Sequence, residues 1–268
     1  MRSYMFALAV AVSTACGSSR PPMPAEACFV NAPVRPSYDK LTADGRITVA
    51  ALFGQMDYKR ALNDDHGKWS ANTLRDTLKK MGYVRTLHRP DRDHSRFQKN
   101  VRKELVVVID VIGPAALPHH HGHKVVGPAL AKAINSHEVV YFNGHDFEGK
   151  LRPFKRPASL PADEYRVLLL DTCWSQQHYS VPILKSRKHY HVISNTERSI
   201  TGSVDSFVEL LDRLVHAAAT RTDAPWPRLL AEMNRLASER AVQRILRDPR
   251  TKYPAPEHYG LSSVCTRL

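Results

Sequence analysis

Residues 137–149 read HEVVYFNGHDFEG and residues 164–176 read EYRVLLLDTCWSQ, and the fold is decided by these two stretches. Each contains a short, continuous apolar run, 139–142 (VVYF) and 167–170 (VLLL). Such runs have the length and composition of strands buried on both faces of a parallel sheet. Both end abruptly in polar residues, which include His145 after the first and Cys173 after the second. In open α/β sheets, ligands and chemistry collect just beyond the carboxyl ends of the strands. A free cysteine is only about 3% thiolate at pH 7, and a neighbouring imidazole raises that fraction. His145 and Cys173 therefore read as a general base and a nucleophile delivered to one sheet edge by adjacent strands. Backbone N–H groups near Asp146 and at Cys173 itself are placed to form an oxyanion hole.

Working outward, residues 47–53, 83–87, 105–111 and 190–194 supply four more strand candidates. Between and after them, residues 69–81, 125–134, 200–216 and 225–246 carry apolar side chains at helical spacing. The basic segment 95–103 is also expected to be helical. Strand-helix alternation of this kind implies right-handed crossovers. The expected fold is thus α/β, a mostly parallel central sheet of about six strands flanked by helices in three layers. The expected organisation is a leader over 1–20, a proline-rich linker over 21–45, the α/β domain over 46–222, and a C-terminal helix with an irregular tail over 223–268.

A strand ending in histidine beside glycine, followed by a strand ending in Asp-x-Cys, resembles the caspase-like clan of cysteine peptidases, which includes caspases, legumains, gingipains and clostripain-type enzymes. The resemblance covers residues 46–216 and extends to the order of the strands. It implies a caspase-like three-layer sandwich, a peptide or protein substrate, His145 as base or proton donor and Cys173 as nucleophile. Asn143, Gly144, Asp146 and Asp171 would be supporting residues. Members typically place glycine after the histidine, whereas this chain has Gly144-His145-Asp146. A carboxylate there hinders the close backbone approach that an oxyanion hole needs.

Lys and Arg number 39 against 26 Asp and Glu, a net charge of +13. That excess favours anionic partners. The basic residues are spread from Arg35 to Arg267 rather than gathered in a patch, which argues against a dedicated nucleic-acid reader. The first residues combine Arg2, an apolar run over 5–12, and small residues before Cys16. This layout is that of an export signal, and its end resembles a bacterial lipobox in which Cys16 carries a lipid anchor to the membrane. Ser13 departs from the aliphatic residue usual in that motif, so a plain signal peptide stands beside the lipoprotein reading. Localisation is accordingly expected to be the cell envelope, periplasm or exterior. In an oxidising compartment Cys28 and Cys265, near the two ends of the mature chain, are expected to pair. Cys173 would then be the thiol left over.

Competing constellations are weaker. His119, His120, His121 and His123 form a histidine cluster that offers imidazoles to a metal, but no HExxH or convergent carboxylate accompanies it. A solvated loop is the plainer reading. His178 is a second candidate base, Trp174 and Tyr179 are pocket or core residues, and Ser175 lacks the glycines of a nucleophile elbow. No phosphate loop or dinucleotide fingerprint occurs, so no cofactor is expected. Two functions lead, an exported cysteine peptidase-like hydrolase acting through a thioester on Cys173 or a non-catalytic binding or structural lipoprotein on the same scaffold, with a metal-binding cell-envelope protein using the histidine cluster as a weaker third.

Overall fold

The computed structural model describes residues 35–56, 65–117, 123–145, 147–187, 189–195, 199, 204–222, 224–247 and 259–262. The leader, Cys16, Cys28 and Cys265 lie outside them, as do Asp146 and His119, His120 and His121. No described helix is long and apolar enough to cross a membrane.

The chain is α/β. After a short helix α1 (Tyr38–Leu41), strand β1 (Arg46–Phe53) enters the middle of the sheet. Helix α2 (His66–Lys80) is followed by β2 (Val84–Arg89), β3 (His94–Arg102) and β4 (Leu105–Ile112). Then come α3 (His123–Ser136), β5 (Val139–Asn143), α4 (Arg152–Lys155), β6 (Arg166–Asp171), α5 (Val181–Ser186) and β7 (Tyr190–Asn195). Helices α6 (Asp205–Thr220) and α7 (Trp226–Arg247) and strand β8 (Tyr259–Ser262) complete it. The eight strands are ordered β2-β3-β4-β1-β5-β6-β7-β8. β4, β1, β5, β6 and β7 run parallel, and antiparallel strands close both sides.

The parallel strands are buried because their side chains feed two cores on alternate residues. In β1, Val49, Ala51 and Phe53 join Leu74, Leu78, Phe207, Leu211, Trp226 and Met233 beneath α2, α6 and α7. Ala50 and Leu52 face the other way, toward Val126, Leu130, Phe154 and Ile183 beneath α3, α4 and α5. Helix α7 packs into the same core as α6, and β8 extends the same sheet.

Two expectations are corrected. Residues 95–103 are not a helix but most of β3, where Ser95 and Phe97 are fully buried while His94, Arg96 and Gln98 on either side of them are not. That is a period of two, and its Lys and Arg residues lie along a strand with a partly solvated face. The tail is not wholly irregular either: Tyr259–Ser262 pairs antiparallel with β7. Backbone pairing on a sheet edge requires little from side chains, so four residues leave no periodic trace.

Candidate functional site

The carboxyl ends of β1 and β5 and the start of α2 approach closely at Gly144 and Gly67, where the packing leaves no room for a Cβ. The Gly54 N–H donates to the Asn143 carbonyl at 2.9 Å. A Cβ on Gly144 would lie 2.7 Å from the Phe142 ring and 3.4 Å from the Gly54 Cα. A Cβ on Gly67, in the first turn of α2, would come within 2.3 Å of the Gly54 carbonyl oxygen. Asp65 caps α2 by accepting from the Gly67 N–H at 2.7 Å, and it also accepts from the Met56 N–H at 2.8 Å. The Met56 carbonyl in turn accepts from His145 Nε2 at 3.0 Å. Cap, turn and imidazole thus form one chain of contacts, and His145 is 4% exposed.

Asn143 and Asp171 are directly paired at the ends of β5 and β6, so His145 and Cys173 each follow two residues beyond one register position. The structure therefore carries both residues to the same edge. Cys173, however, is disulfide-bonded, its partner lying outside the described residues. The expectation of an odd free thiol is corrected. Spacing along a chain with several cysteines does not fix which of them pair.

The turn after β6 is tightly held. Trp174 adopts φ 47°, a left-handed conformation uncommon for an aromatic residue. Ser175 donates from Oγ to the Leu170 carbonyl at 2.6 Å and accepts from the Asn195 N–H at 2.8 Å, which ties β6 to β7. Ser175 is thereby a structural residue. A π-helical turn, Gln176–Ser180, follows, a rare element often found at functional sites. Within it Tyr179 is fully buried and packs 5.0 Å from the Phe154 ring, which makes it core. The His178 ring lies over Gly149, in the turn after the His145 loop.

Asp171 is the hub of the edge. Its carboxylate accepts from the Tyr141 hydroxyl at 3.1 Å, Asn143 Nδ2 at 2.8 Å, Asn195 Nδ2 at 2.9 Å and the Ser199 hydroxyl at 2.7 Å. Burial pushes its carboxyl above the ordinary range, against the downward pull of Ser199, Asn195, Asn143 and Tyr141. From the sequence, Asp171 and Asn143 read as supporting residues only, and Tyr141 and Ser199 are not singled out there. A signal existed in the polar Ser194-Asn195 ending of β7, level with the other strand ends.

Around this hub, buried polar atoms lack a hydrogen-bond partner: Asn143 Oδ1, Asn195 Oδ1, Thr172 Oγ1 and both amide atoms of Gln176. Buried groups of this kind are usually paired, and these gather at one edge of the sheet. Of the histidine cluster, His123 is described and stands exposed at the start of α3. Among the described residues, no group of three or more His, Cys, Asp or Glu side chains could hold a metal.

No model of a known protein family matches this chain, and no curated protein sequence matches it.

Proposed function

We propose that this chain is a non-catalytic, ligand-binding module on a caspase-like scaffold, exported to the cell envelope and anchored there through Cys16. The observation that carries the reading is the disulfide on Cys173. A sulfur held in a disulfide has no proton for His145 to take and is not a thiolate nucleophile. His145 meanwhile spends Nε2 on the Met56 carbonyl. What the edge offers is recognition: Asn143, Asn195, Thr172 and Gln176 present buried hydrogen-bonding atoms beside Asp171. The test is labelling of the intact, unreduced protein with an iodoacetamide-type reagent, alongside a peptide-hydrolysis assay. Absence of Cys173 labelling and of hydrolysis supports a binding module. Hydrolysis by the unreduced protein that is abolished in Cys173→Ala would sink it.

A second reading, a cysteine peptidase-like hydrolase in its oxidised form, is favoured by the shared register of His145 and Cys173 and by the left-handed Trp174 beside the sulfur. In the reduced protein, His145 would take the Cys173 proton and the thiolate would attack a peptide carbonyl. The amine leaves with that proton, and water cleaves the resulting thioester. This reading requires that a dithiol reductant release fast Cys173 labelling, that His145→Ala slow it, and that peptide hydrolysis appear with it.

A further inference from the structure

At the opposite edge of the sheet, where β1 and β4 begin, a cavity of about 620 Å³ opens between α1, the β3–β4 turn and the end of α6. It is lined by Arg35, Lys40, Arg102 and Arg221 against one carboxylate, Asp39. Several other described arginines hold carboxylates: Arg75 holds Asp93, Arg96 holds Asp110, Arg213 holds Glu209 and Arg235 holds Glu232 and Glu239. Arg102 differs. Its half-buried side chain has no carboxylate within ion-pair distance, and its Nε, like those of Arg75 and Arg187, is shielded from solvent with no hydrogen-bond partner. A desolvated guanidinium edge without an acceptor is costly, and an anion in the cleft would satisfy it.

Arg221 strengthens the argument. It ends α6 at φ 56°, a position at which glycine or asparagine is usual. Its N–H and that of Thr222 both go to the Ala217 carbonyl, which removes an acceptor from the helix end. A cation there also complements the helix dipole, as Lys40 does in the last turn of α1, but that explanation does not extend to Arg102, which lies on strand β3.

We infer that this cleft binds a phosphate group, carried by a small phosphorylated molecule or by a phospholipid headgroup. Its volume lies within the range of small-ligand pockets, and guanidinium forks match phosphate geometry. The site stands apart from the Cys173 edge and does not depend on what that edge does.

The experiment is isothermal titration of the full chain with inorganic pyrophosphate at about 0.15 M ionic strength, where general charge attraction is screened. Saturable one-to-one binding is expected, weakened about tenfold or more by Arg102→Gln. Arg85→Gln, the same charge loss on the exposed strand β2, is expected to leave it unchanged. If Arg102→Gln does not fold, Lys40→Gln and Arg221→Gln, both exposed, carry the same comparison. A second arm uses vesicles of phosphatidylcholine with and without phosphatidylglycerol. Binding to the anionic vesicles but not to pyrophosphate, lost in the cleft variants alone, assigns the phosphate to a lipid headgroup. No saturable binding in either arm, or equal loss in Arg85→Gln, overturns the inference.

Discussion

Asn143 donates its side-chain amide to Asp171 at 2.8 Å across directly paired positions of β5 and β6, so the strand register itself brings the two side chains together. Four donors converge on that carboxylate from β5, β7 and the segment beyond β7. Asp171→Ala would remove the acceptor of two buried amides, Asn143 Nδ2 and Asn195 Nδ2. Such groups cost about 1–3 kcal/mol each when stranded, and partial relaxation reduces the sum, so a loss of about 2–4 kcal/mol is expected. Urea unfolding of the two proteins measures it. A change below about 0.5 kcal/mol would show that the carboxylate does not organise the edge.

Gly67 offers a test at the backbone. Its φ is ordinary, so conformational freedom is not what the position needs; space is. A methyl group there would sit 2.3 Å from the Gly54 carbonyl oxygen and 2.8 Å from Asp65 Oδ1. Gly67→Ala is therefore expected to destabilise by about 1–3 kcal/mol, as overpacking does, although alanine is the better helix former. The displacement passes through Asp65 and Met56 to His145. Thermal unfolding reports the first effect, and the His145 imidazole proton resonances report the second.

The parallel part of the sheet is legible because β1, β4, β5 and β6 are buried on both faces and read as nearly continuous apolar runs, broken in β1 by Thr48 and in β4 by Asp110. β3 is not, because its buried positions, Ser95 and Phe97, are outnumbered by Arg, Lys and Asn on a partly solvated strand. His145 and Cys173 stand out in the sequence because each follows an apolar run by three residues. The role of Asp171 was hidden, since its donors at 141, 143, 195 and 199 meet only after three strands align. The state of Cys173 was hidden for a different reason: pairing depends on approach in space, which spacing does not encode.

Asp110, in β4, illustrates a charge cluster that sequence reading passed over. Its carboxylate meets His94 Nε2 at 2.9 Å, His137 Nε2 at 3.1 Å and two nitrogens of Arg96 at 2.8 Å. Burial pulls its carboxyl up, but hydrogen bonds from His137, His94 and Arg96 outweigh that and hold it well below the usual carboxylate range. A depressed carboxyl contributes stability that is full above the unfolded value near about 3.9 and lost as pH falls through the folded one. Asp110→Asn is expected to cost about 1–3 kcal/mol at pH 7. The gap between the two proteins should narrow below about pH 4. A gap that stays constant with pH would mean that packing, not charge, is the source.

His191 should make the fold sensitive to mild acid. It lies on β7, where Nδ1 accepts from Trp226 Nε1 at 2.8 Å and sits 2.9 Å from the Tyr165 hydroxyl. Burial lowers its pKa from 6.5 to about 4, so the native protein keeps it neutral. Above the unfolded value both states are neutral and the group contributes nothing to the pH dependence. As pH falls below 6.5 the unfolded chain takes up a proton that the native chain refuses, and stability is lost until about pH 4. Across that window the loss amounts to about 3 kcal/mol at most. His191→Asn keeps an acceptor near Trp226 Nε1 but does not titrate. Its urea midpoint should therefore fall less steeply than that of the parent protein between pH 6.5 and pH 4. Parallel slopes would place the acid sensitivity elsewhere.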